Sequence, residues 1–123
     1  MDGHLVRAWN NLILLHQKAS RHEQALRFAI RATELNADAD TLHFLAASIY
    51  GEQNRMNESR WHFERAIILA PHNPAYFYNL GVLYHRAHEY GKAVQLYREA
   101  LRLDPSHREA AKQLQQVIKK KLV

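Results

Sequence analysis

Histidine can bind a metal ion or exchange a proton near neutral pH, and the chain has nine histidines. His85 and His88 are three residues apart, a spacing that can bring two imidazoles to one face of a helix, and His107 could join them as a third metal ligand. The chain has no cysteine and no His-Glu-x-x-His motif. We therefore expect solvated or packed histidines, no bound metal and no other cofactor.

Asp38-Ala39-Asp40 has the acid-x-acid form by which many glycosyltransferases hold a metal and a sugar nucleotide. It lies just before a predicted helix, where Asp40 would accept from free backbone N–H groups and offset the helix dipole. The sequence has no glycine-rich phosphate loop and no nucleophile elbow. The motif therefore indicates helix capping, and the chain is predicted to lack a catalytic constellation of its own.

Asn11 and Asn79 are 68 residues apart, which is twice the repeat spacing described below. A primary amide can donate and accept at once, so a column of amides can hold the backbone of an extended ligand. Leu45 interrupts this column midway. Two alternatives stay open: the asparagines bond only to nearby loops or water, and the aromatic neighbours pack against the next repeat. The candidate ligand contacts are Asn10, Asn11, Phe44, Ser48, Tyr78, Asn79, Val82 and His85.

Equivalent residues recur every 34 positions, as in Tyr50 and Tyr84 or Pro71 and Pro105. This period divides a single domain, 1–123, into three repeats at about 6–39, 40–73 and 74–107. Apolar residues at helical spacing predict two helices in each repeat. A seventh helix, with one apolar and one polar face, would cap the array. The predicted helices lie near 4–18, 21–35, 40–53, 57–70, 74–87, 90–103 and 107–121.

Proline and small side chains shape the predicted hairpins. Ala70-Pro71 and Asp104-Pro105 should each end a second helix, since proline lacks the N–H that a helix needs. The two helices of a hairpin approach closely only where side chains are small. Ala47 and Gly81 are small on first helices, and a matching column runs along the second helices at Ala25, Ser59 and Ala93.

The third repeat follows the pattern W…LG…Y…A…F…A…P over 34 residues, with Phe77, Leu80-Gly81, Tyr84, Ala93, Tyr97, Ala100 and Pro105 at those positions. The sequence therefore resembles the tetratricopeptide repeat family. The resemblance implies an all-α solenoid, with three helix-turn-helix repeats and a C-terminal capping helix. It also implies a non-catalytic scaffold that binds an extended or helical protein segment in a concave groove lined by the first helices.

Two features of related repeats help to define the expected ligand. The Asn11 and Asn79 column is similar to the asparagine ladder in the repeats of O-GlcNAc transferase. Repeats that clamp the C-terminal carboxylate of chaperones use Lys and Arg on the inward positions. The same positions here are uncharged: Asn10, Leu14, Leu45, Ala75 and Asn79. A carboxylate clamp is therefore not expected.

A narrower resemblance concerns the segments 8–15 and 79–86, which read AWNNLILL and NLGVLYHR. They are similar to the final repeats of the transmembrane and tetratricopeptide-repeat O-mannosyltransferases that modify cadherins. In that family the catalytic region is a separate N-terminal membrane domain, and the repeats face the lumen of the endoplasmic reticulum. The resemblance implies a non-catalytic tail in that lumen, and the alternative is a freestanding cytoplasmic adaptor.

The net charge of +5 comes mainly from the last helix and tail, because five basic residues and one acidic residue follow position 107. A nucleic-acid surface usually spreads its basic residues over the domain, so we expect no nucleic acid partner. No apolar run reaches the length of a bilayer span, so this chain is not predicted to insert in a membrane. The expected partner is a protein or peptide.

Three remaining features bear on location and assembly. Asn57-Glu58-Ser59 is an N-glycosylation sequon, placed in an exposed turn of the second hairpin and meaningful only in the lumen. Lys120-Lys121 resembles a dilysine retrieval signal, which would require the cytosolic side. The first repeat begins near residue 6 with no capping helix predicted before it, and this open edge would suit further repeats upstream or self-association.

Overall fold

The computed structural model describes the backbone of residues 3–122 and the side chains of residues 3–120. Within this part of the chain there are seven α-helices and no strand. The chain divides into two compact units, Met1–Leu69 and Ala70–Val123. The single domain expected over 1–123 stays a prediction.

The first unit holds two helical hairpins, α1 (Gly3–Lys18) with α2 (His22–Leu35), and α3 (Asp40–Glu52) with α4 (Met56–Leu69). Both α1 and α2 pack against α3, which lies at the centre of this unit. Eight residues of α3 are buried, whereas Ile13 is the one buried residue of α1. The core of the unit therefore forms around α3.

The second unit holds the hairpin of α5 (Pro74–Arg86) and α6 (Tyr90–Leu103), followed by α7 (Arg108–Leu122). Tyr97 of α6 is fully buried at its centre, and Val117 of α7 packs into the same cluster. Helix α7 thus buries one face against α6, as predicted for a terminal helix. The sequence predicts an apolar face of α7 made of Ala110, Ala111, Leu114, Val117 and Ile118. Ala111 is exposed, so this face is narrower than predicted.

The predicted helix bounds agree with the structure to within one residue at each described end. The helices α4 and α6 end immediately before Ala70-Pro71 and Asp104-Pro105, because proline cannot continue the backbone hydrogen bonds. Before α5, the Asn73 side chain accepts a hydrogen bond from the Ala75 N–H, and Pro74 occupies the first helical position.

The same tight turn joins the helices of all three hairpins. Ser20, Asn54 and His88 lie 34 residues apart, and all three have a left-handed backbone with φ near 60°. A non-glycine residue seldom adopts this conformation, so its recurrence at one repeat position shows that the hairpin geometry imposes it.

Small residues lie at the helix crossings, as expected. Ala25, Ala47, Ser59 and Ala93 have no exposed surface. A Cβ atom added to Gly81 would lie 2.8 Å from Cε1 of Tyr97, which is closer than carbon atoms can pack. Glycine is therefore required where α5 meets the ring of Tyr97.

Candidate functional site

The candidate contacts in the first unit lie on α1 and α3. Asn11 is exposed and Asn10 is half-buried, and the Asn11 amide forms no hydrogen bond with any described group. Leu45 is buried in the core, so it is not a rung of an exposed column. In this unit Asn11 keeps both its donor and its acceptor for an external partner.

Phe44 and Ser48 of α3 are both half-buried. The ring centroid of Phe44 lies 6.0 Å from that of Phe63 on α4, and the Ser48 hydroxyl donates to the Phe44 carbonyl at 3.0 Å. Phe44 therefore contributes to the packing of its own hairpin while part of its ring stays accessible. The Ser48 hydroxyl donates its hydrogen bond within α3, so toward a ligand it can act only as an acceptor.

The candidate contacts in the second unit lie on α5, and the structure gathers three of them around the buried Tyr97. The Tyr78 and Tyr97 ring centroids are 5.8 Å apart, and Val82 packs into the same cluster. His85 Nδ1 is 3.1 Å from the Tyr97 hydroxyl. Burial raises the pKa of Tyr97 far above its usual value, and burial also lowers the pKa of His85. The hydroxyl therefore stays protonated and can donate to a neutral imidazole.

Asn79 is half-buried, and its amide nitrogen donates to the Ala75 carbonyl one turn earlier, at 2.7 Å. Its side-chain oxygen remains as an acceptor. Tyr78 also packs on the ring of His107, the residue before α7, with centroids 4.9 Å apart. The α5 surface consequently combines one amide acceptor with half-buried aromatic and apolar side chains.

The histidines considered as metal ligands all have other partners. His88 Nδ1 is 2.7 Å from the Tyr90 hydroxyl, and His107 Nδ1 accepts from the Ala110 N–H at the start of α7. Across residues 3–120, no three His, Asp or Glu side chains come close enough to share a metal ion.

Two sequence motifs lie in different structural settings from those expected. The sequon is not in the hairpin turn: Asn57 is exposed in the first turn of α4, and Ser59 is fully buried. The Ser59 hydroxyl donates to the Ala47 carbonyl of α3 at 2.7 Å, because helical periodicity turns this position toward the hairpin interface. Asp40 is the first residue of α3, where its charge offsets the dipole, and the N-cap itself is Ala39.

Lys121, one half of the lysine pair, lies outside the described side chains. Lys120 places its ammonium 5.7 Å from the ring centre of Tyr90. None of the described helices combines the length and the apolar character that a membrane span requires.

A second cluster, which sequence reasoning missed, lies on α2, α3 and α4. His43 Nδ1 is 3.0 Å from His62 Nδ1, and His43 Nε2 is 2.9 Å from the Ala37 carbonyl oxygen. The ring of Tyr50 stacks on His62, with centroids 5.5 Å apart and planes inclined by 16°. These residues lie in a cleft of about 460 Å³, lined also by Ile30, Thr33, Glu34, Ala37, Trp61 and Arg65.

The repeat spacing carried a signal for this cluster. The column of His43 holds Trp9 and Phe77, and the column of His62 holds Phe28 and Leu96. These two columns are apolar in the other hairpins. The two histidines of the second hairpin could therefore have been identified from the sequence as an unusual pair.

Comparison with known proteins agrees with this fold. Residues 74–107 match the tetratricopeptide repeat family model. The chain is similar in structure to the first tetratricopeptide-repeat domain of Spaghetti (RPAP3) bound to the HSP90 peptide SRMEEVD. That comparison has a TM-score of 0.93 and 15% identity, and it covers 100% of this chain and 98% of the other. The fold is therefore an all-α tetratricopeptide-repeat fold.

Two further structures resemble the chain. YrrB, described as a repeat protein with an unusual peptide-binding site, has a TM-score of 0.80 and 25% identity, over 92% of this chain and 58% of its own. An O-GlcNAc transferase variant from Thermobaculum terrenum has a TM-score of 0.85 and 20% identity, over 94% of this chain and 22% of its own. No curated protein shows significant sequence similarity to the chain.

Proposed function

We propose that this chain is a protein-interaction module that holds an extended or helical segment of a partner along the first helices of its hairpins, without catalysis of its own. The observation that carries the proposal is the exposed Asn11 amide on α1, which forms no hydrogen bond with any described group. A free amide can pair with both the N–H and the C=O of a ligand's peptide unit. The similarity to a peptide-bound domain and to YrrB supports a peptide ligand.

The chemistry of these helices favours a segment without a clamped carboxylate. Asn10, Asn11 and Asn79 are uncharged, and half-buried Phe44, Tyr78 and Val82 provide apolar contact. A carboxylate held without Lys or Arg would lose hydration and gain little in return. The peptide SRMEEVD is therefore a suitable negative control, and we expect it to bind this chain weakly or not at all.

The test is capture of partners from a cell lysate on the immobilised chain, with bound proteins quantified by mass spectrometry. Asn11→Ala/Asn79→Ala should reduce specific capture about five-fold or more, since each lost hydrogen bond is worth about 1 kcal/mol. The matched control is Gln24→Ala/Gln95→Ala, which removes two exposed amides from second helices. Equal capture by the wild type and the asparagine variant would reject this role.

For the setting of the module, we propose the C-terminal repeat region of an O-mannosyltransferase in the endoplasmic reticulum, where it would recruit acceptor proteins to a distant active site. The resemblance of segments 8–15 and 79–86 to that family supports this setting. The coding sequence upstream should then encode further repeats and hydrophobic spans. Their absence would favour a freestanding cytoplasmic adaptor.

A second test of the lumenal setting uses the sequon. Expression through the secretory pathway should give a glycosidase-sensitive mass shift that Asn57→Gln abolishes. Because folding buries Ser59, the glycan must be added before α3 and α4 close. A chain that emerges without a glycan would count against the lumenal setting.

Self-association is a second candidate function, favoured by exposed leucines on α1. Leu5 and Leu15 are 49% and 61% exposed. If they form an interface, the sedimentation mass should rise with concentration, and Leu5→Glu/Leu15→Glu should abolish the rise. Leu35→Glu on α2 is the matched control, since Leu35 is similarly exposed. A constant monomer mass for the wild type would remove this candidate.

A further inference from the structure

The second hairpin has a histidine pair where the other hairpins have apolar pairs. In the first hairpin, Trp9 and Phe28 occupy these columns, with ring centroids 6.3 Å apart. In the second, His43 and His62 replace them and meet through their Nδ1 atoms. The fold thus accepts apolar residues at both positions, and a polar pair there suggests a role other than stability.

The hydrogen bonds determine which nitrogen of each neutral imidazole carries its proton. The Ala37 carbonyl can only accept, so His43 Nε2 must donate to it. His43 Nδ1 is then an acceptor, and His62 Nδ1 donates to it across 3.0 Å. The remaining nitrogen, His62 Nε2, therefore holds an unshared lone pair. No group in the described part of the chain donates to it.

The cleft beside this lone pair has aromatic walls and charges of both signs. Tyr50 stacks on the His62 ring, and Trp61 is 55% exposed at the cleft. Arg65 and Glu34 also line it. Arg65 would repel a cationic ligand and Glu34 would repel an anionic one. The cleft therefore favours a ligand without net charge. The cleft volume of about 460 Å³ lies in the range of ligand sites.

We propose that this cleft on α2, α3 and α4 binds the phenol ring of a tyrosine side chain presented by a partner protein, with the phenol hydroxyl donating to His62 Nε2. A neutral aromatic ring suits the walls formed by Trp61 and Tyr50. The phenol oxygen can at the same time accept from the Arg65 guanidinium, which an indole N–H cannot do. An aromatic hydrogen-bond donor thus satisfies the acceptor that His62 Nε2 presents in the cleft.

This site lies beyond the proposed function, because none of the residues that line the cleft, including His43 and Tyr50 of α3, is a candidate contact of the proposed peptide surface. Asn11→Ala/Asn79→Ala leaves every residue of the cleft unchanged. Failure of one site can therefore be distinguished from failure of the other.

The experiment is an NMR titration of the full chain with N-acetyl-tyrosine amide, following the Trp61 indole and His62 imidazole signals, with N-acetyl-phenylalanine amide as the matched probe. We expect the tyrosine probe to shift both signals and to bind at least about five-fold more tightly, because the phenylalanine probe lacks the hydroxyl and its hydrogen bonds. Equal affinity of the two probes would overturn the proposal. So would unchanged Trp61 and His62 signals up to about 20 mM probe, a range that covers very weak binding.

Two variants complete the test. His43→Phe/His62→Leu introduces the residues of the third hairpin, Phe77 and Leu96, and removes the acceptor. The preference for the tyrosine probe should fall to what the Arg65 contact alone provides. Trp61→Ala changes an exposed side chain and keeps the histidine pair, so it tests the site even if the double variant unfolds. It should weaken both probes together. An undiminished tyrosine preference in the folded double variant, or unchanged affinities after Trp61→Ala, would contradict the proposed site.

Discussion

The packing of the His43 and His62 pair in the second hairpin favours the neutral form of both rings. Burial, with a smaller effect from the nearby His43, lowers the pKa of His62 to about 4. Burial also lowers the pKa of His43, against the opposing effect of its bond to Ala37. The other charged groups around the pair are Arg65 on α4, which disfavours a proton, and Asp40 on α3 and Glu34 on α2. A proton on the buried His43 or on the half-buried His62 would place a poorly hydrated charge beside a second imidazole.

We therefore predict that acidification weakens the fold. The pKa of His62 is about 4 in the folded state and 6.5 in the unfolded state, so the unfolded chain binds more protons between these values. This contribution to stability is fully present above pH 6.5 and declines as the pH falls towards 4. Urea unfolding at a series of pH values measures the slope.

The control for this prediction is His43→Phe/His62→Leu, which should flatten the pH dependence of the free energy of unfolding. His85 has a lowered pKa as well and is present in both proteins, so its contribution cancels. If the free energy of unfolding of the wild type and of this variant changed in parallel with pH, the histidine pair would not be the cause of the pH dependence.

Within each hairpin, the distance between helices depends on a few small residues. Gly81 faces the ring of Tyr97, whose Cε1 atom lies 2.8 Å from where a Cβ would stand. Gly81→Leu should destabilise the chain by about 1 to 3 kcal/mol through overpacking. Thermal and denaturant unfolding measure the loss. Gly91→Ala, which meets nothing within 4 Å, is the control and should leave stability unchanged or slightly higher.

The buried Ser59 hydroxyl joins α3 to α4 through its bond to the Ala47 carbonyl. Ser59→Ala should cost about 1 kcal/mol, because it removes this bond without a steric change. Ala25 and Ala93 occupy the equivalent places and are fully buried, so alanine fits there. Ser48→Ala removes only a bond within α3, and denaturant unfolding should show a smaller loss. A larger loss for Ser48→Ala would contradict the assignment.

Across the whole molecule, burial is unevenly distributed among the helices. In the first unit, α1 has one buried residue and α3 has eight. Local opening free energy rises with the apolar contact that must be broken. Native-state hydrogen exchange should therefore show the lowest protection in α1 and the highest in α3. Equal protection of the two helices would mean that the first unit opens as one cooperative body.

The sequence predicted some features of the candidate site and left others open. The 34-residue spacing identified Asn11 and Asn79 as equivalent positions, and it named the small residues that the structure buries. It did not show that the Asn79 nitrogen bonds within its own helix, since that depends on a side-chain rotamer. The sequence likewise treated Ser59 mainly as part of a glycosylation motif, whereas the fold uses its hydroxyl between helices.

The amino-acid sequence by itself determined the helical class, the repeat length and the helix bounds, because periodicity, proline and turn residues act over a few neighbouring positions. Only the tertiary structure decided which side chains of different helices meet, such as His43 with His62 and Tyr78 with Tyr97. Such contacts depend on how each helix is rotated about its axis and how closely it packs on the next. A small rotation exchanges a buried for an exposed side chain, and local sequence does not encode that angle.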